Sequence, residues 1–382
     1  MLTITFPNGS IIRLEYTGES VSGGQHGNLL VFQEWNAPRK FLLKPFYCVI
    51  DQKTPQLDSL HFDLSWDAAK CKQHGQFERI ANELVASKLA NHYLKIRVPF
   101  CFPIVSFDVA NFEISPGDFL PFEPEIKFVD GLKDPVTFKE FYGLKEWDIM
   151  KVETTNEFDD ILLSQQPEKR LPDPSFAIGF FSEYIPNAID VDTAMCRASE
   201  DGCLDEWMEK LRKNRSGIEL LPFDTWVNDP DRNSRNYLLQ ELNGENKIWG
   251  IDYELFSFSG NLPDDTDSTN GRSYLAAILH NETSVNDPLI LHEVSKIRML
   301  SKESIKEATR LPSLLIQYVE YHIANGNLSL AARNQIKLVE QNLLFYLWET
   351  KPKLSRLETV LERQLGISPL ETLLQSQIGV QQ

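Results

Sequence analysis

FDTWVNDPDRNSRNYLL, Phe223 to Leu239, decides how this chain is read. Phe223, Trp226 and Val227 give it an amphipathic helical start, Pro230 breaks the helix, and Tyr237-Leu238-Leu239 opens a strand. Between them stand Asp231, Arg232, Asn233, Arg235 and Asn236, a crowding of charge and amide that taken alone most often makes a turn. A polar loop between helix and strand is an ordinary place for a site. Downstream, NYLLQEL and KIWGIDYELF flank NGEN and predict a β-hairpin. Closing that hairpin would bring Asn236 and Asp252 side by side, with Asp231 just upstream. An amide oxygen and a carboxylate suit a hard ion such as Mg²⁺, which keeps waters and takes its remaining ligands from phosphates. Asp231 is then the group to orient or deprotonate an acceptor hydroxyl. One loop Asp, one Asn and one further Asp is the division of labour in phosphoryl transfer by kinases.

The upstream half supplies the partners this chemistry needs. Lys44 interrupts the apolar strand FLLKPF, and a lysine there wants an anion. Glu83 lies on the helix predicted over 76–94, where Phe77, Ile80, Ala81, Leu84, Val85 and Leu89 recur at helical spacing, so a strand-to-helix Lys44–Glu83 pair is feasible. Between two strand candidates, GESVSGGQHGN (18–28) carries Gly18, Gly23, Gly24 and Gly27, a loop able to bring backbone N–H groups onto phosphates. Taken singly, these features have plain readings: a solvated strand lysine, a helix-surface glutamate, a hairpin turn. Their order along the chain carries the argument: Gly-rich loop, strand Lys, helix Glu, polar loop, then Asp after a hairpin.

Composition limits the alternatives. The 382 residues exceed what one small core needs, and predict two packed lobes. A hydrophobic share of 42% and a charged share of 24% are those of a globular protein. A net charge of −17 argues against holding nucleic acid by general phosphate attraction, so no direct nucleic-acid partner is expected. No apolar run is long enough to span a bilayer, and MLTITFPNGS has no charged n-region followed by an h-region; a protein without a membrane partner is expected, cytoplasmic or exported by a route the N-terminus does not show. The five cysteines include no C-x-x-C pair, which predicts reduced thiols rather than a zinc site.

The expected fold class is α+β, a two-lobed protein-kinase-like fold with a β-rich N-lobe and a mainly helical C-lobe. Residues 1–110 form the N-lobe, with a hairpin over 2–14, strands over 28–35 and 40–50, the 76–94 helix and a strand over 98–109. Residues 111–175, rich in Pro, Phe and acids, read as an insertion with short elements or as a partly mobile segment. FAIGFFSEYI (176–185) is a strand or a buried helix, and periodicity does not choose between them. Helices over 204–214 and 218–228 and the hairpin complete a catalytic core spanning 176–290. Residues 291–382 read as further helices of the C-lobe.

These motifs resemble the HipA-like kinases, a bacterial serine/threonine kinase family distantly related to the phosphatidylinositol kinases. DRNSRN is similar to the family's catalytic loop, with Asp231 and Asn236 on its key positions, and GIDYELF is similar to the context of its metal-binding Asp, here Asp252. ANELVASKLANHYLKIRVP resembles the family's N-lobe helix and supports Glu83. ESVSGGQHGN is similar to the Ser/Gly loop of HipA-type toxins, in which a serine is autophosphorylated; the resemblance carries that role to Ser20 and Ser22. A phosphate there adds charge where charge must be neutralised. His26-Gly27 stand where Pro-Lys is common, and Asn233 replaces the His that some members carry. The resemblance covers roughly 10–110 and 176–260. It implies ATP and Mg²⁺ as cofactors, Lys44, Glu83, Ser20, Ser22, Gly23 and Gly24 around the nucleotide, VSFDV near 105–109 facing adenine, a protein substrate, and an antitoxin partner if the protein is a toxin. Arg232 and Arg235 are read either as helping with phosphoryl charge or as pairing with acidic surface. A kinase for a small molecule such as an aminoglycoside or lipid headgroup, a nucleotide-binding pseudokinase, and a structural interaction module remain the alternatives.

Overall fold

The computed structural model describes residues 2–5, 11–22, 28–51, 76–106, 117–119, 125–126, 136–137, 150–153, 175–227, 229, 231–242, 244–255, 273–279, 287–314, 317 and 330–350. They are a mixture of helix and antiparallel strand, and the chain divides into two compact units. The first comprises Met1–His92, Phe100–Tyr184 and Ala308–Gln341; the second comprises Tyr93–Pro99, Ile185–Glu307 and Asn342–Gln382.

The first unit is built on an eight-stranded sheet. Its strands are β1 (Leu2–Thr5), β2 (Ile11–Ser22), β3 (Asn28–Glu34), β4 (Lys40–Asp51), β5 (Cys101–Ser106), β6 (Gly117–Phe119), β9 (Met150–Glu153) and β10 (Ser175–Glu183), in the order β5-β10-β4-β3-β2-β1-β9-β6. A separate pair joins β7 (Glu125–Ile126) to β8 (Val136–Thr137). FAIGFFSEYI is therefore a strand, lying between β4 and β5 and antiparallel to both. An interior strand needs no polar face, which is why its apolar run is nearly continuous. The 111–175 segment adds β9 to the β1 edge and β6 beyond it, so short strands from this stretch extend the same sheet. Helix α1 (Gln76–Lys88) packs on β4 and β5 and continues as a π-helical turn, Leu89–Leu94. Ile80, Ala81, Leu84 and Val85 are buried beneath it, and Phe32 meets Phe181 edge-on at 5.4 Å in the same unit.

The second unit surrounds a three-stranded sheet of β11 (Ala188–Asp190), β12 (Tyr237–Leu242) and β13 (Glu245–Gly250). Helix α2 (Val191–Glu200) starts at Asp190, whose carboxylate accepts the Thr193 N–H at 2.8 Å, a capping bond that satisfies a free helix-end donor. Helix α3 is Leu204–Arg212 and helix α4 is Arg215–Val227. Asn214 caps α4 by accepting the Gly217 N–H at 3.1 Å, and its amide donates to the Asn246 carbonyl on β13 at 2.7 Å. Ser216 accepts the Ile248 N–H at 2.7 Å, so the start of α4 is stitched to β13. Further helices are α5 (Tyr274–Leu279), α6 (Pro288–Met299) and α7 (Lys302–Ala308). The last described helix is α8 (Leu330–Thr350), of which the part from Asn342 belongs to this unit; its Tyr346 hydroxyl donates to the Val227 carbonyl at the end of α4 at 3.1 Å.

Two sequence expectations change here. Phe223–Val227 is not an amphipathic start but the closing turn of α4, and every residue from Leu220 to Val227 is buried. The hairpin turn is tighter than NGEN: Leu242 pairs with Glu245, leaving residue 243 and Gly244 as the loop. Gly244 sits at φ +79°, the left-handed geometry that a two-residue hairpin turn takes. Of the 291–382 stretch read as further helices, residues 315–316, 318–329 and 351–382 lie outside the described residues.

Candidate active site

After Val227 the chain leaves α4, and two side chains shape the loop. Asp229 is buried, and its carboxylate accepts the Asp231 N–H at 2.8 Å. Its other oxygen accepts the Leu255 N–H at 3.0 Å. Asn233 accepts the Arg235 N–H at 2.9 Å and donates its amide to the Asp231 carboxylate at 3.1 Å. These short side-chain-to-backbone bonds are the reason Asp and Asn crowd this stretch. A 3₁₀ turn, Ser234–Asn236, then leads into β12.

The hairpin brings its outer ends together. Tyr237 pairs with Gly250, and the Ile251 N–H donates to the Asn236 carbonyl at 3.0 Å. Asn236 thus lies one residue and Asp252 two residues outside the Tyr237–Gly250 pair. The Asn236 amide donates to the Asp231 carbonyl, which links the loop to the joint. Asp231 itself is exposed, Asn236 is buried, and Asp252 is half-buried. Asp252 has φ +65°, a left-handed backbone unusual for a residue with a Cβ. Among the described residues no group of three or more His, Cys, Asp or Glu gathers to hold a metal. Asn236 and Asp252 are the two residues that could offer oxygen ligands here, fewer than a closed metal site needs.

Beneath this loop lies a buried polar cluster that the sequence reading missed. Arg232 is 2% exposed and its guanidinium lies 3.3 Å from the Asp224 carboxylate, itself 1% exposed. Asp224 also accepts the hydroxyls of Tyr253 at 2.7 Å, Ser273 at 3.2 Å, and Tyr237. The guanidinium stacks 4.6 Å from the Tyr237 ring centre and 4.1 Å from that of Tyr253. Burial opposes its charge, yet Asp224 and its neighbours hold its pKa well above the usual value. Burial, with Asp224 beside it, raises the Tyr237 hydroxyl. Arg232 was expected to face phosphoryl charge or acidic surface; it does neither, because its partner is inside. The available signal was Asp224 itself, a charge within the apolar run LLPFDTWV. Arg235 is exposed and pairs with Asp192 at 3.2 Å.

The other candidate residues belong to the first unit. Lys44 is on β4, an interior strand, and its backbone pairs with Phe180 where the β10 register shifts between Ile178 and Phe180. Glu83 is on α1 and 4% exposed; the Cys101 thiol approaches its carboxylate at 4.0 Å. α1 packs against β4, the strand that carries Lys44. Ser20 and Ser22 were expected in a loop over 18–28, but β2 runs through both, with Ser20 paired to Leu30 and Ser22 to Asn28. Gly18, at φ +75°, accompanies a register shift between Tyr16 and Ser20. Pairing to β3 resumes beyond the shift and runs to Ser22. Gly23 and Gly24, and residues 107–109 of VSFDV, lie outside the described residues.

No protein-family model matches the chain, and no curated protein matches it. Among the described residues no helix is long and apolar enough to cross a membrane.

Proposed function

We propose that this protein is an ATP-dependent kinase of HipA-like type that transfers the γ-phosphoryl group to a protein Ser or Thr hydroxyl. The observation that carries the reading is the hairpin joint, where the Ile251 N–H meets the Asn236 carbonyl and one polar loop supplies an exposed Asp231. In this reading Asp231 orients the acceptor hydroxyl and takes its proton. Asn236 and Asp252 hold Mg²⁺, which when bound bridges and neutralises the nucleotide phosphates. Lys44, held by Glu83, contacts those phosphates. A strand-rich unit bearing Lys44 and Glu83, and a second unit bearing the loop and hairpin, support a two-lobed kinase-like fold. Ser20 or Ser22 is the candidate for autophosphorylation.

The test is intact-mass and phosphosite analysis after incubation with ATP and Mg²⁺, beside Asp231→Ala and Asp252→Ala. Phosphate on a Ser or Thr in the unsubstituted protein only is the expected result. Absence of both phosphate incorporation and stabilisation by Mg²⁺ and ATP would overturn the reading.

A further inference from the structure

Arg232 is the residue next to the exposed Asp231, yet it is buried. Its Nη1 donates to the carbonyl of Ile251 and, at 3.4 Å, to that of Asp252. Its Nη2 donates to the Asn236 carbonyl at 3.3 Å while facing Asp224. One guanidinium therefore grips the backbone at both residues read as metal ligands, from two segments sixteen positions apart in sequence. A rigid planar fork holds several spread acceptors in fixed geometry; an ammonium has three donors but concentrates them at one point on a flexible stem. Asp252 gives the grip something to do, because a left-handed non-glycine persists only where its surroundings over-determine it. Gly250 leaves room for the arrangement: a Cβ there would collide with the Tyr253 hydroxyl and come within 3.1 Å of Arg232 Nη2.

We infer that Arg232, anchored by Asp224, is a positioning residue that sets Asn236 and Asp252 at the spacing Mg²⁺ requires. This rests on the phosphoryl-transfer reading. Partners behind metal ligands typically alter metal affinity about 10–100-fold when removed.

The experiment compares the unsubstituted protein with Arg232→Lys by calorimetric binding of a non-hydrolysable ATP analogue across a Mg²⁺ titration, alongside thermal melts and phosphate incorporation. For folded Arg232→Lys the half-saturating Mg²⁺ is expected to rise about 10-fold or more, with nucleotide binding and transfer largely recovered at high Mg²⁺. A purely structural role would lower the melting temperature and leave the Mg²⁺ requirement unchanged, and that result overturns the inference. If Arg232→Lys does not fold, the double variant Arg232→Gln with Asp224→Asn removes the buried charges together. It is expected to show the same raised Mg²⁺ requirement, and an unchanged one overturns the inference equally. Absence of Mg²⁺-dependent nucleotide binding in the unsubstituted protein would overturn the kinase reading and this inference with it. An unchanged Mg²⁺ requirement in a folded variant, beside an active parent, overturns the positioning role alone.

Discussion

Asp229 accepts the backbone N–H of Leu255 at 3.0 Å, across 26 positions of sequence. The same carboxylate accepts the Asp231 N–H, so one buried acid ties the loop of the candidate base to the segment just after Asp252. Burial pushes this carboxyl up to about 8, against the pull of Arg232 and the two N–H donors, while Asp252 adds to the rise. The folded state therefore holds this proton more tightly than the unfolded chain, where an aspartate titrates near about 4. Its contribution to stability is complete below that value and is lost as pH rises through about 8. Thermal melts between pH 5 and 9 should show a fall that flattens in Asp229→Asn. An identical slope in the two proteins would remove Asp229 as its cause.

Asp231 is exposed, and its side chain is not part of the core. Asp231→Asn is expected to melt within about 2 °C of the parent, since surface changes of this kind cost little. Loss of a general base lowers transfer by roughly 10²–10⁴-fold. Phosphate incorporation at saturating ATP and Mg²⁺ checks it, and undiminished transfer would move the base elsewhere.

Asp224→Ala should be the most damaging of the changes discussed. It leaves the Arg232 cation buried and removes the acceptor of Tyr237, Tyr253 and Ser273. Breaking a buried ion pair from one side costs about 3–5 kcal/mol. Urea unfolding of Asp224→Ala, of Arg232→Met and of the double variant gives a coupling energy. Additive losses would mean that the pair does not act as a unit.

Two glycines separate crowding from backbone strain. At Gly250 a Cβ would collide with the Tyr253 hydroxyl and crowd Leu220, so Gly250→Ala is expected to cost about 1–3 kcal/mol through overpacking. At Gly244 a Cβ meets nothing within 4 Å, and the cost of Gly244→Ala comes from φ +79° alone, about 1–2 kcal/mol. Relieving the crowding with Tyr253→Ala should reduce the coupling penalty at 250 and leave that at 244 unchanged, as read by denaturant midpoints.

Local pattern carried the elements whose determinants are themselves local. The helical repeat from Phe77 to Leu89 identified α1, and the two apolar segments around Asn-Gly identified the β12–β13 hairpin. Hairpin geometry then made Asn236 and Asp252 neighbours on paper, because a short turn leaves little choice about which ends meet. Tertiary structure decided what depends on distant partners. β2 extends through Ser20 and Ser22 because β3 pairs with it there, and 111–175 contributes strands because β1 offers an edge to β9. Arg232 turns inward because Asp224, Tyr237 and Tyr253 converge on it from a helix, a strand and the segment following the hairpin. Hydrophobic periodicity records which face of an element is buried; it does not record which buried acid meets which buried base, since that pairing is set by packing between segments far apart in the chain.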